Sequence, residues 1–356
     1  MSQKIRVGII YGGQSAEHEI SILSARNVLA ALDRSRFEPV LIGIDKSGKW
    51  LSQDEQRLID SARDPRQVQV QPGLPAPIEA AAQRVDIVFP VLHGTLGEDG
   101  AMQGLLEVAG IPYVGAGVLG SAIGMDKDVM KRLLRDARIP IADFRTVRRE
   151  RFLADPAAVC RELLPLGFPM FTKPANAGSS VGVRKVKQQP ELEEAVRYAL
   201  QFDSKAIVEE GIVGREIELA VLGGTPPIVS IAGEVIVEHA DGFYSYEAKY
   251  LDEKGARLEM PAKLTPSELN GAQELALRTF EVLECEGMAR VDLFLAPDGE
   301  LFVNEINTIP GFTAISMYPK LWALSGVRQM ELISRLIDLG LQRARIRAEI
   351  RHNYGA

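Results

Sequence analysis

Between residues 6 and 92, short β-branched runs alternate with a stretch of helical periodicity, and this constrains the fold more than any other feature. Arg6-Val-Gly-Ile-Ile10 reads as a strand closed by Tyr11-Gly12-Gly13. A helix is expected over 17–32, where Ile20, Leu23, Val28 and Leu29 fall on one face. Pro39-Val-Leu-Ile-Gly-Ile44 and Asp86-Ile-Val-Phe-Pro-Val-Leu92 read as further strands. Strands separated by helices pair in parallel, and such sheets take ligands at the carboxyl ends of their strands. Gly12-Gly13 and His93-Gly94 both fall at that edge. The polar stretch 54–77, with Pro65, Pro72, Pro75 and Pro77, is expected to be a surface connection of little functional weight.

Beyond it a helix is expected over 126–136, and Ile139-Pro140 breaks the pattern before a second unit near Ala142. That unit has strands at 168–173 and 205–209 with a helix at 191–198 between them. Ile217-Glu-Leu-Ala-Val-Leu222 begins a third, mostly antiparallel unit, which ends in a helix over 327–341 and a charged tail. The 356 residues leave room for two or three domains. A net charge of −7 argues against a nucleic-acid partner, because phosphate backbones need a basic face. No run approaches the ~20 apolar residues that span a bilayer. No apolar leader follows the first charges, so a cytoplasmic protein with no membrane partner is expected. Cys160 and Cys285 alone make neither a disulfide framework nor a thiolate metal site.

The sharpest chemical pattern is Arg290-Val-Asp292 followed by Leu301-Phe-Val-Asn-Glu305-Ile-Asn307, two strands joined through Ala296-Pro-Asp-Gly-Glu300. Alternate strand residues share a face, so Asp292, Glu305 and Asn307 are expected on one side of a hairpin. Oxygen ligands with few histidines nearby suit Mg²⁺, although a solvated hairpin with acidic residues fits equally. Lys173-Pro-Ala-Asn-Ala-Gly-Ser-Ser-Val-Gly182 is a small-residue loop whose N–H groups suit phosphate, with Lys173 adding charge. It lacks the Walker A order, and a flexible hairpin is the alternative. Glu209-Glu210 ends a strand whose backbone offers a donor and an acceptor to an adenine edge, and Glu216 is placed for ribose hydroxyls. Solvated strand ends explain these glutamates as well. In Gly12-Gly-Gln-Ser-Ala-Glu-His18, a glycine turn opens a helix with Ser15 as N-cap, a setting that favours anions, and Glu17 in the first turn suits the helix dipole. His93-Gly-Thr-Leu-Gly-Glu-Asp-Gly100 is polar at another strand end, where His93 also fits as an ordinary loop histidine. Gly115-Ala-Gly-Val-Leu-Gly120 matches a dinucleotide fingerprint, but its strand carries Pro112; the glycines are expected to open the helix carrying Lys127.

Taken together the pieces resemble the ATP-grasp superfamily and, within it, the D-alanine–D-alanine ligase family. The resemblance covers nearly the whole chain. It rests on 12–21, 93–100, Met125-Asp-Lys127, Lys173-Pro174 with 178–182, Tyr246-Glu-Ala-Lys-Tyr250, Arg290-Val-Asp292 and Asn304-Glu-Ile-Asn-Thr-Ile-Pro-Gly311. It implies an α/β chain, α+β in the ATP-grasp part: a parallel-sheet domain over 1–125, a central ATP-grasp domain over 126–215, and a carboxyl-terminal one over 216–356 with a lid at 238–261. It implies ATP as substrate, two Mg²⁺ that Mn²⁺ can replace, D-alanine as the small-molecule partner, a homodimer, and a product for bacterial peptidoglycan. By resemblance Lys127 and Lys173 would bind the ATP phosphates, with Ser180 on the covering loop, Glu209, Glu210 and Ile212 would meet the adenine and Glu216 the ribose, and Asn304 would also bind ATP. Asp292, Glu305 and Asn307 would hold metal. Glu17 and His93 would take the first D-alanine, Ser316 and Lys249 the carboxylate of the second, and Lys249 would also touch ATP. Arg290 and the Gly311 N–H would stabilise the oxyanion. Ser179 and Tyr250 would link to Glu17 and close the lid. Tyrosine at 250 favours an amine nucleophile, since ester-forming relatives resemble a different type there. One departure is Ala175-Asn-Ala, where many relatives carry charges. The rival readings are a D-alanine–D-lactate or D-alanine–D-serine ligase, a silent nucleotide-binding regulator, and a dehydrogenase using 115–120.

Overall fold

A computed structural model describes residues 3–61, 64, 67–76, 78, 84–237 and 256–351. The first sheet has the order β3-β2-β1-β4, from Ile5–Gly12 (β1), Phe37–Ile44 (β2), Trp50–Ser52 (β3) and Ile87–Val91 (β4). β1 pairs in parallel with β2 and β4, and only the short edge strand β3 is antiparallel. The continuous burial of β4 fits a sheet covered on both faces. Helix α1 (His18–Ala30) covers β1 and β4, and α2 (Glu55–Ile59), α3 (Ala101–Val108) and α4 (Val118–Met125) follow along the chain. At the end of β1, Gly12 has φ +91, and a Cβ there would lie 2.2 Å from the Ile44 carbonyl. Only glycine closes that turn without displacing β2.

Helix α5 (Lys127–Asp136) starts on Asp126, whose carboxylate accepts from the N–H groups of Asp128 and Val129 at 3.1 and 3.0 Å. The second sheet, order β5-β8-β6-β7, is antiparallel: Phe144–Arg148 (β5), Met170–Pro174 (β6), Arg184–Val186 (β7) and Lys205–Glu210 (β8). Helices α6 (Arg149–Ala154), α7 (Pro156–Leu163) and α8 (Gln189–Ala199) supply its core. The third sheet, β11-β10-β9-β12-β13, is also antiparallel: Arg215–Leu222 (β9), Ile228–Val237 (β10), Ala256–Glu259 (β11), Met288–Leu295 (β12) and Leu301–Asn307 (β13). Helix α9 (Pro266–Val282) and α5 cover one face of it. On the other lie α10 (Met317–Leu324) and α11 (Gln329–Ala348), which also pack on the first sheet.

Three expectations need correcting. The stretch 54–77 is more than a surface connection, because Leu58, Val68 and Ala76 are buried and Val70 abuts Gly12 and Gly43. Helix α11 runs on to Ala348, since Arg343 and Arg347 reach across to Glu286 and Glu107 and hold the charged end in place. The glycines at 115–120 open α4 and not the helix carrying Lys127.

Leu336 is fully buried in the cluster joining α11 to β1, β2 and β4. Leu336→Ala should cost about 2–5 kcal/mol. Urea unfolding followed by circular dichroism measures it, and a cost under ~1 kcal/mol would show that this cluster does not hold the two sheets together.

Candidate active site

The register of the third sheet puts Glu218, Asp292 and Glu305 side by side on β9, β12 and β13, with Arg290 opposite Asn307 one step along. This is the shared face expected from strand alternation. A bulge lies between Asp292 and Leu293, where Asp292 faces Glu305 and Leu293 faces Val303. Asn304 is the extra residue, and it joins Glu305 at the same cavity. Three adjacent carboxylates would repel one another without cations. Arg290 supplies one: its Nε and Nη2 donate to the two Asp292 oxygens at 2.7 and 2.6 Å, and Nε lies 3.2 Å from Glu218. Burial opposes the Arg290 charge, but Asp292 and Glu218 outweigh it and raise its pKa well above the ordinary value. Lys127 Nζ stands 3.6 Å from Glu305 and donates to the Ala177 carbonyl at 2.8 Å.

Two cavities, of about 130 and 280 Å³, meet at this face and share Lys127, Ala177, Ser179, Glu218 and Glu305. The smaller one is roofed by the start of α1 and the loop after β4. Glu17, His93, Arg290, Asn307, Gly311 and Ser316 all line it. His93 is buried; its Nδ1 lies 2.9 Å from the Ile309 carbonyl and its Nε2 3.1 Å from Ser24 Oγ, which also accepts from the Phe312 N–H. Burial lowers the pKa of His93, so the ring is neutral at pH 7, with Nδ1 as donor to the carbonyl. Ser316 Oγ accepts from the Thr313 N–H at 3.0 Å, and a Cβ on Gly311 would lie 2.7 Å from that oxygen. Ser15 is not the N-cap of α1, a place taken by Glu17; the Ser15 hydroxyl donates to the His93 carbonyl at 2.6 Å. Ser179 Oγ donates to Glu17 Oε1 across 162 residues of sequence, so half of the expected lid link is present. Its other half, Tyr250, and Lys249 lie outside the described residues.

The larger cavity runs between the second and third sheets. Lys173, Ser180, Glu209, Glu210, Ile212, Glu216, Asp292 and Asn304 line it. Glu209 is not a solvated strand end. Its carboxylate lies 2.9 Å from Lys131, which is buried, and 2.5 Å from Lys173, which is half-buried. Burial alone would raise Glu209, but the two ammoniums override it and bring its pKa down to about 2. Lys173 also donates to Asn304 Oδ1 at 3.3 Å. Glu210 accepts from the Asp143 N–H at 2.9 Å. A divalent cation fits the hairpin: Asp292 and Glu305 are hard oxygen donors, and Asn307 Oδ1 is buried without a hydrogen-bond partner among the described residues.

Sequence reading missed several of these groups. Lys131 follows Lys127 by one helical turn, and Glu218 alternates with Glu216; both spacings carry the signal. Lys205 holds the start of α5 through Asp126 at 2.5 Å and Asp128 at 3.0 Å. Glu98 is buried in the smaller cavity and accepts from the Gly94 N–H at 2.7 Å. Burial, reinforced by Glu17, pushes its pKa up to about 8. Native Glu98 therefore keeps its proton over a range where the unfolded chain has lost it. Stability should fall as pH rises from about 4.5 to 8, by up to about 1.4 kcal/mol per unit. Glu98→Gln should flatten that slope in urea titrations at pH 5 and 8, and an unchanged slope would assign it to another group.

Comparison with known proteins agrees with this geometry. Residues 6–116 match the family model for the D-ala D-ala ligase N-terminus, and residues 133–338 that for the D-ala D-ala ligase C-terminus. The chain is 49% identical to D-alanine–D-alanine ligase A of Chromobacterium violaceum, covering 96% of this chain and 97% of the relative. It is 48% identical to D-alanine–D-alanine ligase A of Escherichia coli K12, with the same coverage. Among solved structures, the D-alanine–D-alanine ligase of Coxiella burnetii superposes with a TM-score of 0.84 at 36% identity, over 98% of this chain and 97% of that one. The VanG D-Ala:D-Ser ligase of Enterococcus faecalis gives 0.80 at 35%, over 95% and 100%.

Proposed function

This chain belongs to the D-alanine–D-alanine ligase family, and on that premise we propose how its residues divide the ATP-dependent joining of two D-alanines. The fold is the ATP-grasp fold, and the reaction is an ADP-forming ligation that supplies a peptidoglycan precursor. The observation that carries the assignment is the junction of the two cavities at Lys127 and Glu305, where a phosphoryl group and a carboxylate can meet. In this reading ATP occupies the larger cavity. Backbone groups around Glu209, Glu210 and Ile212 meet the adenine, while Glu216 takes the ribose and Lys127, Lys173, Ser180 and Asn304 serve the phosphates. Asp292, Glu305 and Asn307 would hold divalent cations, taken as two Mg²⁺ that Mn²⁺ can replace, and these would neutralise the charge of the reacting phosphate and carboxylate.

Glu17 binds the ammonium of the first D-alanine, in a pocket that His93 walls. Its carboxylate oxygen attacks the γ-phosphorus, ADP leaves, and an acyl phosphate forms. Ser316 and Lys249 hold the carboxylate of the second D-alanine, whose amine attacks the acyl carbon. Arg290 and the Gly311 N–H, both bordering the smaller cavity, stabilise the oxyanion, which expels phosphate. The lid expected over 238–261 is shortened at its end, because Ala256–Glu259 is strand β11 of the third sheet; its remainder, 238–255, lies outside the described residues, and there Tyr250 would complete the link between Glu17 and Ser179. Closure keeps water from the acyl phosphate. The reading keeps working domains of 1–125, 126–215 and 216–356 and a cytoplasmic homodimer. No helix among the described residues is long and apolar enough to cross a membrane.

Phosphate release from Mg-ATP, with D-alanine, D-serine and D-lactate offered singly and in pairs, tests the substrate. Release with D-alanine alone, matched by dipeptide, is expected; release only with an added second acid would move the chain to a sister activity. Arg290→Ala should lower kcat by at least about 100-fold while ATP still binds. Near-normal turnover in that variant would remove the oxyanion role.

A further inference from the structure

Lys131 lies outside both cavities, on α5, one turn after Lys127, and its side chain is only 1% exposed. A long charged side chain is rarely buried so fully unless something requires its charge. Its carboxylate partner is Glu209 at 2.9 Å, and the other oxygen of that carboxylate is 2.5 Å from Lys173. Lys173 borders the larger cavity, and Lys131 does not. Carboxylates outnumber ammoniums around the cavity: Glu209, Glu210, Glu216, Glu218, Asp292 and Glu305 border it, against Lys127, Lys173 and Lys185. A polyphosphate entering there meets carboxylates, so the charge left on Lys173 matters. With Glu209 as its only neighbour, Lys173 would form a neutral pair. With Lys131 on the far oxygen, two ammoniums share one carboxylate and a net positive charge remains.

We propose that Lys131 is a positioning residue for the nucleotide phosphates: it neutralises Glu209 from behind and so frees the charge of Lys173 for phosphate. The inference rests on the reading of the larger cavity as the ATP site and deepens it. It assigns phosphate affinity to a residue that cannot touch the ligand, and it separates phosphate binding from adenosine binding. A merely structural lysine would affect both alike.

The test is calorimetric binding of ATP and of adenosine to the full chain at fixed Mg²⁺ and salt. Lys131→Met should weaken ATP by at least about tenfold, as expected of one unscreened charge at this depth, and leave adenosine nearly unchanged. Lys131→Arg should keep the preference for ATP. The double variant Lys131→Met/Glu209→Gln removes both charges, leaves Lys173 positive, avoids an orphaned carboxylate if the single variant folds poorly, and should regain most of the preference. Equal weakening of ATP and adenosine by Lys131→Met, or a double variant that folds and shows no recovered preference, would overturn the inference alone. Wild-type protein that binds ATP no better than adenosine would overturn the reading of the cavity, and the inference with it.

Discussion

Tyr318, Trp322, Leu332, Ile333, Leu336 and Ile337 are buried together with residues of β1, β2 and β4, and the same cluster includes Ala220, Leu222 and Met288 of the third sheet. Apolar burial thereby joins the ends of the chain into one body. The consequence is chemical. His93, at the end of β4, can hydrogen-bond to the Ile309 carbonyl, and Ser24 of α1 can receive the Phe312 N–H, only because α10 and α11 hold the 308–316 loop against the first sheet. Gly311 lies within that loop. Its N–H is therefore set by packing from residues that take no part in the reaction.

Against that apolar frame the site itself is crowded with buried charge. Each isolated ion would cost several kcal/mol, so the arrangement stands only where every charge has a partner. Lys205 bridges Asp126 and Asp128, Arg290 bridges Asp292 and Glu218, and Glu209 bridges Lys131 and Lys173. The pairs of Lys205 and Glu209 also tie β8 of the second sheet to α5, which packs on the third. Asn307 Oδ1 has neither an ion pair nor a hydrogen-bond partner among the described residues, and it lies on the face where cation ligands were expected.

Local pattern was enough for what strand and helix periods encode. The first sheet, the hairpin of β12 and β13, and the sharing of a face by Asp292, Glu305 and Asn307 follow from alternation and turn residues alone. The residue roles came from resemblance to a family and not from spacing. What stayed hidden depends on contacts distant in sequence. Glu98 looks like one more polar residue in a glycine-rich loop until the 309 backbone closes over it. Asn304 belongs by simple alternation to the opposite face, and only a bulge turns it toward Lys173. Val68, Val70 and Ala76 sit among polar residues and prolines, so no period marked them as core.

The contact between Glu17 and Ser179 ties these levels together. Ser179 and Ser180 have φ of 49 and 59, a conformation costing roughly 1–2 kcal/mol per residue without glycine. Something must hold them there, and the Ser179 hydroxyl donates to Glu17 at the entrance of α1. The approach is close, since a Cβ on Gly178 would fall 2.7 Å from Glu17 Oε2. A loop that borders the larger cavity thus takes its shape from a carboxylate that borders the smaller one. Any group that binds Glu17 competes with or reorients that hydroxyl, and any phosphate that draws the loop inward moves Glu17. Ser179 borders both cavities, so displacing either partner of this hydrogen bond reshapes the wall between them.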